Sequence, residues 1–217
     1  MQLQGAEEIG ERPPLVAAAL TLPGEDQARA DLYALVARLL FAPPDAGLLA
    51  NIAAATFLGS DNPLDRAWEK LVLAARGSDL DAVHDEFNEL FISSGTPRIN
   101  PYGSLYLSGF LNEKPLAQLR TDLAQHRLAR RPGVGEMEDH LAALCDTMRL
   151  LIAGEQNGRR QALRHQRQFF ETHIGPWYAR CLDDIRREPA GQFYCLVADF
   201  AAAFLSVEAQ AFEIGDE

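Results

Sequence analysis

Three short stretches of this chain hold side chains whose types and spacing could do chemistry. Glu136-Met-Glu-Asp139-His140 sets carboxylates beside an imidazole. At about 100° per residue, Glu136 and His140 share one side of a helix and Asp139 points away toward solvent. Carboxylates so placed can grip a guanidinium in bidentate geometry, and an imidazole beside them titrates near neutrality. Asn100-Pro-Tyr102-Gly-Ser104-Leu-Tyr106 puts two tyrosines in a Pro/Gly loop. Such rings can line a groove, with the ring supplying area and the hydroxyl supplying direction; a loop pinned by its own tyrosines is the equal alternative. Phe87-Asn-Glu-Leu90-Phe91 spaces its apolar residues at i, i+3 and i+4. That pattern reads first as core packing.

Other chemistry is not encoded locally. No phosphate loop, no GxGxxG after a strand, no GxSxG and no HExxH occurs. Glu136 and His140 are four apart and Glu171 and His173 two apart, so neither makes the ExxH pair of a di-iron bundle, and no metal site is expected. Cys145, Cys181 and Cys195 form no CxxC, which fits buried thiols in a reducing compartment. Arg159, Arg160, Arg164 and Arg167 make a local basic patch. A solvated helix face explains it best; a contact to an anionic partner or phosphate is the functional reading.

These residues must be positioned by helices, because no segment alternates with period two. Hydrophobic spacing predicts helices near 26–41, 45–57, 63–75, 79–93, 114–130, 136–153, 159–173, 176–188 and 190–212, with a short piece at 105–111. The last is apolar nearly all round and belongs in the middle of a bundle. Residues 1–24 read as a mobile arm. Residues 94–104 read as a loop that could serve as a hinge in an otherwise single domain. The 217 residues carry 20 basic and 31 acidic side chains, a net charge of −11. That balance disfavours nucleic acid and anionic lipid and favours cationic partners. No run of about 20 apolar residues is evident, so no transmembrane segment is expected. Glu7, Glu8 and Glu11 before the apolar run at 15–22 argue against a secretory leader.

Taken in this order and spacing, the three stretches resemble the TorD/DmsD family of redox-enzyme maturation chaperones. Phe87, Leu90 and Phe91 match its aromatic-x-x-Leu-Phe motif, and Tyr102, Ser104 and Tyr106 its aromatic loop. Glu136, Asp139 and His140 match Glu-Pro-x-Asp-His, with Met137 in place of the proline. The resemblance implies an all-α, single-domain, TorD-like bundle of about nine to ten helices. It implies a cytoplasmic protein that is not an enzyme. Its partner would be the catalytic subunit of a molybdenum-cofactor oxidoreductase, with its twin-arginine signal peptide, held until the cofactor is inserted. Asp139 and Glu136 would meet arginines; Tyr102, Tyr106, Phe87 and Phe91 would line the apolar part. Protonation of His140 would weaken peptide binding toward about pH 5.5. No cofactor is required, with GTP or molybdopterin as a weak ligand, and the chain would be a monomer or a domain-swapped dimer. The alternatives are an all-α nucleotide- or molybdopterin-binding protein and a nitrate-reductase-type assembly chaperone.

Overall fold

The structure is a computed structural model describing residues 24–57, 59–92, 97–130, 133, 135–154 and 160–214. Among them are ten α-helices, one π-helical turn and no strand beyond an isolated bridge. The all-α expectation holds. Of the proposed arm (1–24), residues 1–23 lie outside the described residues, as do residues 94–96 of the proposed hinge (94–104).

Local chemistry sets the helix starts. α1 (Gly24–Phe41) buries Tyr33, Val36, Leu39 and Leu40. It ends before Pro43–Pro44, which lack the N–H to continue it. Asp45 caps α2 (Ala46–Ala54) by accepting the Leu48 N–H at 2.8 Å. Asn62 caps α3 (Pro63–Gly77), which has proline in its first turn, and Asp79 caps α4 (Leu80–Phe87). α4 then opens into a π-helical turn, Asn88–Ile92. The wider turn re-phases the apolar stripe, so Leu90 is sealed in the core while Ile92 faces outward.

α5 (Gly103–Ser108) and α6 (Lys114–Gln125) follow. α6 ends earlier than its periodicity predicted, and the chain passes Arg127 at φ 58°. α7 (Leu141–Ala153) also begins late, because His140 caps it and residues 136–139 form a turn. α8 (Leu163–His173), α9 (Tyr178–Arg187) and α10 (Phe193–Ile214) complete the order.

α10 is the axis of the bundle, packed by α1, α3, α4, α8 and α9. By length and hydropathy it is apolar enough to cross a membrane, contrary to the sequence expectation. In the fold, Phe193, Val197, Phe200, Phe204, Leu205 and Phe212 are buried core side chains. Its first N–H groups are met from another element: Glu86 of α4 accepts from Phe193 at 3.0 Å and Tyr194 at 2.6 Å. Near its end, Glu208 is 3% exposed and takes a two-pronged ion pair from Arg29 of α1, both contacts 2.8 Å. α7 packs along α1 on the other side of the core.

Candidate functional site

The central linker and the Glu136 turn meet through their backbones. Gly103 donates its N–H to the Asp139 carbonyl at 2.9 Å, and Leu141 donates to the Pro101 carbonyl at 2.8 Å. This makes Tyr102 and His140 an antiparallel bridge, with their rings edge-to-face at 5.1 Å. The Tyr102 hydroxyl donates to Glu136. Burial first, and that carboxylate second, push the phenol's pKa up. The glycine between Tyr102 and Ser104 is a packing requirement. A Cβ on Gly103 would stand 3.2 Å from the Trp177 indole nitrogen, whose N–H is held by the His173 carbonyl at 2.6 Å.

Asp139 lies elsewhere than helical geometry suggested. It is 3% exposed rather than solvent-facing, because its turn directs it under α5. Its Oδ2 accepts the Ser104 N–H at 2.8 Å. Its Oδ1 and the Ser104 hydroxyl are buried and have no hydrogen-bond partner among the described residues. Both residues line a cavity of about 180 Å³, walled by Leu107, Lys114, Gln118 and His173. A buried carboxylate oxygen and a buried hydroxyl on two residues that line one cavity are complementary to a multivalent N–H donor such as a guanidinium.

His140 differs from expectation too. It is buried, and its Nδ1 accepts the Ala142 N–H at 3.1 Å as the cap of α7. Desolvation lowers its pKa to about 4, against the opposing pull of Glu136 and Asp139. It is therefore neutral at pH 5.5, and the expected weakening of peptide binding there is not supplied by this residue.

The aromatic residues divide. Phe87 is sealed in the core, which corrects its assignment to the apolar lining of a partner site, and Leu90 of the same motif is sealed there too. The core reading of their spacing is the one realised: Phe87 and Phe91 both pack against Tyr194, and the Leu90 carbonyl takes the Ile99 N–H at 3.0 Å. Tyr106 is a brace, stacked on Trp177 at 5.3 Å and donating to Asp184 at 2.9 Å. In the basic patch, Arg159 lies outside the described residues, Arg160 pairs with Asp26, and Arg167 meets Glu171 at 2.7 Å. Arg164 is exposed.

Two further concavities escaped the sequence reading, because their walls come from helices far apart in the chain. A groove of about 530 Å³ lies between α1, α6 and α7, with Ala37, Phe41, Leu123, Met137 and Leu150 in its lining. Its carboxylates are engaged: Glu136 with the Tyr102 hydroxyl, Glu138 with Arg120 at 3.0 Å and Asp146 with Arg149 at 2.7 Å. A polar cavity of about 260 Å³ between α6 and α8 collects Asp122, His126, His165 and His173. Among the described residues, no three such side chains are placed to hold a metal ion.

The bundle has the fold of a redox-enzyme maturation protein. A crystal structure described as such, from Archaeoglobus fulgidus, superposes with a TM-score of 0.55 at 20% identity, covering 87% of this chain and 97% of that one. The family described as "Nitrate reductase delta subunit" matches residues 59–183, more than half the chain and all three motifs. This chain belongs to that family, the TorD-type redox-enzyme maturation chaperones. It is similar to the chaperone protein TorD of Vibrio atlanticus, 26% identical over 167 residues, 71% of this chain and 78% of the relative. It is similar also to TorD of Photobacterium profundum, 29% identical over 139 residues, 61% of this chain and 64% of that relative. The family is one of chaperones rather than catalysts.

Proposed function

We propose that this chain binds, in the cytoplasm, the catalytic subunit of a molybdenum-cofactor oxidoreductase. It engages the twin-arginine signal peptide of that client and holds it until the cofactor is inserted before export or assembly. The observation that carries this reading is the pair of unpartnered buried oxygens, Asp139 Oδ1 and Ser104 Oγ, on two residues that line one cavity. An arginine entering there satisfies both, and a charged hydrogen bond in such a place is worth about 1.5–3 kcal/mol. Glu136, half-buried at the adjoining turn, already accepts the Tyr102 hydroxyl and so serves to brace the linker. A cavity whose free acceptor is a carboxylate repels phosphate, so GTP and molybdopterin are disfavoured as ligands of this site.

The test is calorimetry with a synthetic twin-arginine peptide. Asp139→Asn keeps an acceptor for the Ser104 N–H but removes the charge. Affinity should fall about tenfold or more, which is about 1.4 kcal/mol, with helix content unchanged. A peptide with lysines for arginines should bind the parental chain more weakly. Equal affinity for parent and variant removes Asp139 from the site. A second reading is favoured by the family description: the client is a nitrate reductase. Copurification and mass spectrometry of the captured subunit separates the two.

A further inference from the structure

We propose that His173, steadied by Asp122, is a further positioning residue of the arginine site: its second ring nitrogen accepts from the client's guanidinium, and a proton taken from solvent onto that nitrogen releases the client. The proposal rests on the reading of the Ser104–Asp139 cavity as a guanidinium pocket.

His173 ends α8 at a partition. Thr172 and His173 are the residues common to the arginine cavity and to the polar cavity between α6 and α8. The imidazole is buried, with the Phe169 ring centred 4.9 Å away, and the residue's carbonyl holds the Trp177 indole N–H. Its Nε2 lies 2.8 Å from Asp122 Oδ2. A carboxylate only accepts, so Nε2 carries the hydrogen, and in the neutral ring Nδ1 is the acceptor. Nδ1 has no hydrogen-bond partner among the described residues. A guanidinium brings five N–H donors, more than Asp139 Oδ1 and Ser104 Oγ can satisfy. Nδ1 meets a further one, from a ring already fixed before the client arrives.

The same nitrogen makes the contact conditional. Protonation turns Nδ1 from acceptor to donor and sets a positive charge beside the guanidinium, and both changes oppose binding. Burial lowers the pKa of His173 below its ordinary 6.5, against the pull of Asp122, so the neutral form prevails at neutral pH. The other ionisable groups around the ring are Asp122, His126 and Lys114 of α6, His165 of α8 and Asp139 of the 136–139 turn. Carboxylates ordinarily titrate below the range from about pH 5 to pH 7, and ammonium groups above it. Imidazoles are the groups that titrate within it, and His126 and His165 line the polar cavity alone.

The experiment is calorimetry of the full chain with a twin-arginine peptide free of histidine, aspartate and glutamate, from about pH 7 to pH 5. Parental affinity should fall at least about threefold on acidification; uptake of one proton caps the slope at about tenfold per pH unit. His173→Gln should flatten the profile. Asp122→Asn removes the carboxylate that favours the protonated ring, so the fall should begin at lower pH. His165→Gln, outside the arginine cavity, should keep the parental profile. The proposal is overturned if His173→Gln titrates like the parent, or if His165→Gln flattens the profile. If His173→Gln loses helix content, Asp122→Asn decides, and an unmoved midpoint overturns the proposal. Equal parental affinity at both ends of the range, still lost in Asp139→Asn, overturns this proposal alone. Failure of the parental chain to bind the peptide at either pH overturns the guanidinium pocket and this proposal together.

Discussion

His140 caps a helix with an imidazole nitrogen, and this makes the fold itself acid-sensitive. The folded chain holds the ring neutral down to about pH 4, whereas the unfolded chain protonates it near 6.5. Between these values the unfolded state binds more protons, so stability falls as pH falls through that window. From pH 7 to pH 5 the loss from this one group is about 2 kcal/mol. Urea unfolding at the two pH values reads it directly. His140→Asn, which retains a capping side chain, should remove most of that difference; an unchanged pH slope would show that the cap does not titrate. His126 and His173, both also lowered by burial, act in the same direction and leave a residual slope. The sequence made His140 visible as a titratable residue beside carboxylates. It could not show the sign, because what decides it is desolvation by a turn that replaces the expected helical start.

At the level of elements, the bundle's helices were legible where polar caps and prolines agree with the apolar period. Asp45, Asn62 with Pro63, and Asp79 each mark a start in both readings. The misses share a cause. Periodicity carried the α4, α6 and α7 patterns through a π turn, a left-handed Arg127 and the 136–139 turn, all set by tertiary contacts rather than by spacing. Of the candidate site, Ser104 and Asp139 were both singled out, but in two separate motifs, and neither their contact nor their burial was legible. Phe87 and Leu90 belong to the core that their spacing first suggested. The linker's junction with α9 turns on Gly103. Gly103→Ala forces a methyl against an indole that is stacked on Tyr106 and hydrogen-bonded at its nitrogen, so the ring has little freedom to yield. Overpacking of this kind costs about 1–3 kcal/mol. Thermal unfolding should report that loss, and an unshifted melting temperature would mean that the linker moves instead of the ring.

For the whole molecule, α10 determines whether the bundle closes. An almost uniformly apolar helix has no preferred face, and its orientation about its own axis needs polar markers. Glu86 supplies one at its beginning and the Arg29–Glu208 pair one near its end. Glu208→Ala strips Arg29 of its buried partner, although Asp26 still contacts it at 3.3 Å. Breaking such a pair from one side costs about 3–5 kcal/mol, with the lower figure expected because Arg29 is only partly buried. Denaturant titration checks this. Arg29→Leu together with Glu208→Leu should recover much of the loss, since an apolar pair leaves no stranded charge. A double variant as unstable as the single one would assign the cost to packing.

The stitch between Tyr102 and His140 also has a consequence for how such a chaperone can diversify. Everything from α5 through α6 to the Glu136 turn departs from one point on the scaffold and comes back to it. Lengthening or trimming that excursion at its outer tip leaves both ends where they were. The tip can thus change in length and sequence over evolutionary time, while the backbone junction beneath it keeps its place.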